Sequence, residues 1–395
     1  MKKTIILMML LFGLTSSMAS ANEQVIKKPD TLFSKSAVII DSGTGSVLYS
    51  KNAHKKMNPA SITKIATAIY ALEHGNLEDI ATVSDNAANI EGSTVYLLPG
   101  EKISLEQLMR GMMVNSGNDA AVAIAEHTEG SVHSFMKKLN GFLEDEVGVK
   151  NTHFENPHGL YGENHYTTAY DMAKITSYAL KNNDFQMLFG IDSFDWSSEG
   201  WDTTLYNHHK LVKGELPYPE VTGGKNGFIS EANHTLVTSA ENEGLSVVAV
   251  TLNAQSKRAI YADTISLLDY GLNQFTHSYI AKDSGFQTDH SFYELKADFH
   301  YTKPINEAVN EVVDEKGMLT IYNEDNQKIA STKLHSVRSA EQSEQEVLAA
   351  SSEKESERTD SELFYPVFLY LIILVMIGIR MIRKREQNDS LEKRL

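Results

Sequence analysis

Cysteine is absent from the 395-residue chain, and positive charge is scarce. Without thiols the protein can form no disulfide, no zinc–thiolate site and no cysteine nucleophile. The chain has 36 lysine and arginine residues and 52 aspartate and glutamate residues, which gives a formal net charge of −16. Such an acidic chain offers no basic surface to a phosphate backbone, which argues against a nucleic-acid-binding function.

The N-terminus has the three parts of a secretory signal peptide. A basic start at Lys2 and Lys3 is followed by the short apolar run from Ile5 to Leu14 and by the cleavage pattern Ala19-Ser20-Ala21. We therefore expect residues 1–21 to be a signal peptide, which implies that the mature chain is exported.

Near the C-terminus a second apolar run is long enough to cross a bilayer. The stretch from Leu363 to Ile379 carries no charge, and Arg380 with the basic residues 383–385 follows it. Positive residues stay on the cytoplasmic side of such a span. We expect a single transmembrane helix over 362–382, a cytoplasmic tail over 383–395, and the rest of the chain outside the cell membrane. A buried core helix is the alternative interpretation.

The catalytic hypothesis begins with the helix after Pro59. Apolar residues recur at helical spacing from Ile62 to Leu72, and Gly75 ends the pattern. Ser61 then lies at the helix start, and Lys64 lies one turn further on the same face. A buried lysine has a lowered pKa and can accept a proton from a serine. The spacing Ser-x-x-Lys occurs four times in the chain, so a helix-start serine with a surface lysine remains the plain alternative.

Two further polar stretches lie in structured surroundings. The sequence Asn115-Ser116-Gly117-Asn118 interrupts two apolar helices, the first opened by a capping box at Ser104, and taken alone it is most simply an interhelical turn. Lys225 stands among glycines at the start of a predicted hairpin, where glycine indicates close approach of another group. An edge-strand lysine that opposes aggregation is its alternative explanation. The similar Ser84-Asp85-Asn86 lacks a preceding apolar helix and is treated as a decoy.

Other kinds of active site find little support in the sequence. Asp192, Asp195 and Glu199 lie in a polar stretch that we interpret as a solvated loop, so a paired-carboxylate site is not indicated. No His-Glu-x-x-His motif occurs, and the adjacent His208 and His209 cannot share a helix face. We therefore expect neither a metal site nor an organic cofactor.

Ser61-x-x-Lys64, Ser116-x-Asn118 and Lys225-x-Gly227, taken in this order, resemble the three signatures of serine penicillin-binding proteins and β-lactamases. The flanking residues 57–60, 113–121 and 154–160 are similar to those of low-molecular-mass D-alanyl-D-alanine carboxypeptidases. The resemblance covers about Ser34 to Phe275. It implies an α+β fold of the β-lactamase/transpeptidase-like class, in which an antiparallel sheet is flanked by helices with an all-helical region.

The resemblance also implies a domain order. A linker over 22–33 precedes a catalytic domain over 34–276. A small all-β domain follows over 277–335, and a stalk rich in serine and glutamate spans 336–361 ahead of the anchor.

The resemblance assigns a role to each motif residue. Ser61 would attack the carbonyl between the last two D-alanines of a peptidoglycan stem peptide, with Lys64 as general base and Ser116 as proton relay. Asn118 would bind the substrate amide, and Lys225 would face the substrate carboxylate. Backbone N–H groups of Ser61 and Phe228 would form the oxyanion hole, beside Gly227. A β-lactam would acylate Ser61 and act as a covalent inhibitor.

One departure from the family pattern affects substrate recognition. The family has Lys-Thr-Gly where this chain has Asn226 in the middle position, and Ile229 replaces the usual small hydroxyl residue. Arg258 lies where the family places a carboxylate-binding arginine and would compensate. The sequence therefore predicts an active carboxypeptidase with altered recognition of the C-terminus. A secreted β-lactamase and a catalytically weakened cell-wall scaffold are the two alternatives.

Overall fold

The computed structural model describes residues 28–337 and 366–383. The predicted signal peptide, nearly all of the predicted stalk and all but the first residue of the predicted tail lie outside these ranges. By its contacts the chain divides into two compact units. Of the described residues, the first unit contains those up to Tyr279 with His300–Asn310 and Ile321–Ala330. The second contains Ile280–Phe299, Glu311–Thr320 and the described residues from Ser331 onwards.

The helices of the described residues are numbered in chain order. They are α1 (Lys64–His74), α2 (Asp85–Ala88), α3 (Leu105–Val114), α4 (Asn118–Glu129), α5 (Val132–Asp145), α6 (Ala169–Ala179), α7 (Asn183–Phe189), α8 (Lys257–Gln274) and α9 (Pro366–Arg383), with a 3-10 turn at Ala60–Thr63 before α1.

The strands are numbered in the same way. They are β1 (Ser36–Asp41), β2 (Val47–Lys51), β3 (Ile80–Thr82), β4 (Lys102–Ser104), β5 (Ser193–Ser197), β6 (Asp202–Tyr206), β7 (Val221–Ile229), β8 (Asn233–Glu241), β9 (Ser246–Ala254), β10 (Phe275–Ile280), β11 (Gly285–Gln287), β12 (Phe292–Glu294), β13 (Phe299–Pro304), β14 (Asn310–Val313), β15 (Met318–Tyr322), β16 (Lys328–Lys333) and β17 (His335–Val337).

A five-stranded antiparallel sheet with the order β2-β1-β9-β8-β7 is the centre of the first unit. Alternate residues of its strands enter two separate cores, because side chains along a strand point to opposite faces. Val38 and Ile40 pack with helices α1 and α3 to α7, whereas Ala37 and Ile39 pack with α8. The hairpin predicted after Lys225 is confirmed by the antiparallel pairing of β8 and β9, and β7 is an edge strand of the sheet.

The all-helical region keeps the pattern predicted from the sequence. Ser104 caps α3 by accepting a hydrogen bond from the Gln107 N–H, and the predicted interruption separates α3 from α4. The decoy serine has a structural task. Ser84 caps α2 by accepting from the Ala87 N–H, and its hydroxyl donates to Glu126.

Two predictions in this unit are wrong. The stretch from Asp192 to Glu199 is not a solvated loop, because strands β5 and β6 form a hairpin there and Trp196 is 1% exposed. Trp196 packs where Gly111 of α3 has no side chain, a complementarity that local polarity does not reveal. The apolar pattern of Met172, Ile175 and Tyr178 predicts a helix from His165 to Ala179, but α6 begins at Ala169, because Thr168 caps it by accepting from the Asp171 N–H.

The C-terminal part agrees with the predicted all-β character. The continuously described stretch from 275 to 337 contains strands and no helix. Within the second unit, β11, β12 and β17 form a three-stranded sheet. Helix α9 is long and apolar enough to cross a membrane by length and composition.

Candidate active site

Ser61 lies in the tight 3-10 turn ahead of α1, so the regular helix starts three residues later than the serine. The preceding residue, Ala60, has a φ of +53°, a left-handed conformation that is costly for alanine. Two glycines allow other segments of the same chain to approach this turn closely. A Cβ on Gly159 would lie 2.0 Å from the Ala60 carbonyl oxygen, and a Cβ on Gly227 would lie 2.7 Å from the Ser61 nitrogen.

Lys64 is fully buried directly behind the serine, which rules out the surface-lysine alternative. Its Nζ lies 3.2 Å from Ser61 Oγ, 2.7 Å from Asn118 Oδ1 and 2.7 Å from the His158 carbonyl oxygen. Burial lowers its pKa well below the usual value, and the charge of Lys225 lowers it further. A neutral Lys64 has a lone pair that can take the Ser61 proton at this distance.

Ser116 and Asn118 come from the break between α3 and α4. Ser116 has a φ of +62°, which turns its side chain away from the α3 helical path. The Ser116 Oγ lies 3.2 Å from Lys225 Nζ. The Asn118 side chain accepts a hydrogen bond from Lys64 through Oδ1 and donates one to the Glu91 carbonyl oxygen through Nδ2, each at 2.7 Å. The interruption therefore directs polar groups towards distant residues and is more than an interhelical turn.

Lys225 is buried on edge strand β7. Its Nζ contacts Ser116 Oγ and the Asn226 carbonyl oxygen, each at 3.2 Å, and it forms no ion pair with any described carboxylate. Burial lowers its pKa to about 7. An unpaired buried ammonium next to a serine hydroxyl is a suitable place for a substrate carboxylate.

The remaining predicted substrate-binding residues occupy different environments. The Asn226 Oδ1 is buried and has no hydrogen-bond partner within the part of the chain that the structure describes. Phe228 is 57% exposed, with its ring 4.7 Å from the His234 ring. Arg258 is exposed in the first turn of α8 and lines a cavity of about 520 Å³ with Phe33 and Ala262. Its predicted role in binding the carboxylate stays a prediction.

A hydrogen-bonded support under the turn, which no motif in the sequence predicts, includes His165. His165 Nδ1 accepts from the Glu155 N–H, so its Nε2 carries the proton and donates to Thr63 Oγ1 at 2.9 Å. Thr63 Oγ1 in turn donates to the Ala60 carbonyl oxygen at 2.9 Å. Burial lowers the pKa of His165 to about 3, which keeps the ring neutral. This chain fixes the left-handed residue next to Ser61.

A serine with a buried lysine partner, a second serine and a second lysine on an edge strand defines a serine acyl-transfer site. A family model described as D-alanyl-D-alanine carboxypeptidase, peptidase S11, matches residues 22–256. The chain belongs to this family, whose members are serine hydrolases of the penicillin-binding type.

Curated relatives and solved structures agree with this membership. D-alanyl-D-alanine carboxypeptidase DacF of Bacillus subtilis is 38% identical over 251 residues, which are 62% of this chain and 63% of the relative. DacD of Escherichia coli is 30% identical over 67% of this chain and 70% of its own length. Penicillin binding protein 5 from Haemophilus influenzae has the same fold, with a TM-score of 0.68 at 24% identity over 79% of this chain and 98% of that chain.

Proposed function

We propose that this protein is a membrane-anchored carboxypeptidase that removes the terminal D-alanine from peptidoglycan stem pentapeptides through an acyl-enzyme on Ser61. The observation that carries the proposal is the 3.2 Å contact between Ser61 Oγ and the Nζ of the fully buried Lys64. Burial lowers the lysine pKa, and that makes the amine a base for the neighbouring hydroxyl.

Acylation follows from this arrangement. Lys64 takes the hydroxyl proton while Ser61 Oγ bonds to the carbonyl carbon between the two D-alanines. The negative charge on the carbonyl oxygen meets the backbone N–H groups of Ser61 and Phe228, which the close approach of Gly227 to Ser61 brings together. Ser116, hydrogen-bonded to Lys225, relays the proton that Lys64 took to the departing amine, and the C–N bond breaks. Water later hydrolyses the ester.

Substrate binding uses groups from both sides of the site. The Asn118 amide faces the peptide backbone of the substrate, and the Lys225 ammonium faces its terminal carboxylate. Asn226 adds an amide where the family has a hydroxyl, so recognition of the C-terminus differs from that of the relatives. The predicted orientation, with the catalytic domain outside the membrane and α9 as the single anchor, puts this site on the side where peptidoglycan lies.

The test is mass spectrometry of the protein after exposure to benzylpenicillin. Opening of the β-lactam ring by Ser61 adds the whole mass of the antibiotic, because no atom leaves. We expect one adduct on the wild type, none on Ser61→Ala, and an unchanged adduct on the matched control Ser84→Ala. An unmodified wild type would favour a scaffold, and rapid hydrolysis of a chromogenic cephalosporin would favour a β-lactamase.

A further inference from the structure

An exposed apolar surface lies beside the candidate site and takes no part in the chemistry described above. It consists of Tyr96, Leu98 and Trp201, called here the apolar platform. Tyr96 is 64% exposed and Leu98 is 45% exposed, while Trp201 is partly buried. The Tyr96 and Trp201 rings meet edge to face, with centroids 5.2 Å apart. Exposed aromatic side chains held in fixed positions are typical of binding surfaces.

The platform is connected to the second motif through the segment 91–98, called here the rim loop. The Asn118 side chain donates to the Glu91 carbonyl oxygen, and its backbone N–H donates to the Ser93 carbonyl oxygen, both at 2.7 Å. Gly92 approaches the Asn118 amide so closely that a Cβ would lie 2.6 Å from Nδ2. The rim loop thus starts in contact with a residue of the candidate site.

The buried carboxylate of Asp119 fixes the part of the rim loop that carries Tyr96. It accepts hydrogen bonds from the N–H groups of Val95 and Leu97, the two neighbours of Tyr96. Tyr96 itself has a φ of +58°, a conformation that is unfavourable for a tyrosine. The side chains of Val95 and Leu97 are buried, so the ring between them points outwards.

The hairpin formed by β5 and β6 supplies the other half of the platform. Trp201 Nε1 donates to the Val95 carbonyl oxygen at 2.7 Å, which fixes the indole against the rim loop. Gly200 permits this contact, since a Cβ there would lie 2.6 Å from the Tyr96 carbonyl oxygen. The apolar surface is therefore rigid before any ligand arrives, and little conformational entropy is lost on binding.

We propose that the apolar platform binds a sugar ring of the glycan strand that carries the stem peptide. This inference rests on the proposed function. One face of a β-linked hexosamine ring carries only C–H groups and stacks on an aromatic ring, while its hydroxyl and N-acetyl groups remain in water. The exposed Ser93 and Glu199, which flank the platform in the sequence, provide hydrogen-bonding groups at its border. The platform therefore favours peptides attached to glycan over free peptides.

Two substrates test the inference: a free peptide ending in D-Ala-D-Ala, and a pentapeptide attached to a glycan fragment. We expect Tyr96→Ala to lower kcat/KM on the glycan-bearing substrate roughly 5- to 10-fold, the scale of one aromatic contact, and to leave the free peptide unchanged. Tyr96→Phe keeps the ring and restores the rate. The matched control Tyr206→Ala removes another exposed tyrosine and changes neither rate. Equal losses on both substrates, or no loss on the glycan-bearing one, would overturn the inference.

A binding measurement makes the result independent of catalysis. The chain has two tryptophans, and Trp196 is buried, so a saccharide that quenches tryptophan fluorescence reports on Trp201. We expect chitotetraose to quench the wild type and not Trp201→Phe. Absence of quenching in the wild type would refute the platform. A wild type that fails to cleave the free peptide but binds chitotetraose would refute the proposed function alone.

Discussion

The helical wall and the strand wall of the candidate site differ in how completely their polar groups are paired. On the helical wall, Lys64 has three hydrogen-bond partners, and the Asn118 side chain is bonded at both ends. On the strand wall, neither an ion-pair partner of Lys225 nor a hydrogen-bond partner of the Asn226 Oδ1 is found among the described residues. The difference indicates that the groups of the helical wall are preorganised, whereas the recognition groups of the strand wall are left for the substrate to pair.

The largest expected effect comes from removing the base on the helical wall. Lys64→Met keeps the length of the side chain and loses the amine, so we expect the acylation rate by penicillin to fall about 10³-fold or more. The matched control is Lys137→Met, which removes an exposed lysine from another Ser-x-x-Lys sequence and should leave the rate unchanged. Substantial acylation by Lys64→Met would show that another group activates Ser61.

The junction between the two walls is the next most sensitive place. In Gly227→Ala the new methyl group would lie 2.7 Å from the Ser61 nitrogen and 2.6 Å from Thr235 Oγ1. The strand must then move away from the serine, so we expect acylation to slow about 10²-fold, the cost of displacing one oxyanion donor. Gly141→Ala, where a Cβ meets nothing within 4 Å, is the control. An unaffected rate in Gly227→Ala would mean that β7 supplies no oxyanion donor.

Deprotonation of the two lysines should have opposite effects on the activity. Raising the pH produces more of the neutral Lys64 that acts as base. Burial lowers the pKa of Lys225 to about 7, so the same rise removes the cation that attracts the substrate carboxylate. We expect kcat/KM on a D-Ala-D-Ala peptide to fall above pH 7, by about tenfold per unit on the descending limb. Lys225→Arg stays charged and should move that limb to higher pH. If the descending limb of Lys225→Arg stays at the same pH, the limb reports the titration of another group.

The smallest expected effect concerns the departure at position 226. Asn226→Thr restores the hydroxyl of the family pattern and removes an amide oxygen that is buried without a partner. We expect kcat/KM on a D-Ala-D-Ala peptide to rise about three- to tenfold, the net value of one ordinary hydrogen bond, through a lower KM. As a control, the rate of acylation of Asn226→Thr by saturating penicillin should equal that of the wild type, which would show that the chemistry at Ser61 is intact. No change in KM would refute the idea that Asn226 limits binding.

Much of the fold could be predicted from local patterns. The β-forming residues of β8 and β9 predict two strands that are buried over most of their length, and the helical spacing from Ile62 to Leu72 predicts α1 because a buried helix face repeats with that period. The hairpin of β5 and β6 could not be predicted in this way, because most of its residues are polar and the packing of Trp196 on Gly111 depends on a distant part of the sequence. The pattern of apolar residues does not give the start of α6 at Ala169, because that start is fixed by the capping hydrogen bond to Thr168.

The sequence by itself determined the order of the three motifs, the absence of thiol chemistry and the apolar C-terminal helix, because each follows from residue identity and spacing. Only the tertiary structure decided that Lys64 is buried, that Ser116 contacts Lys225 across 109 positions of sequence, and that His165 supports the turn before α1. The pKa of a lysine depends on the groups that surround it in space, and those groups come from segments far apart in the chain.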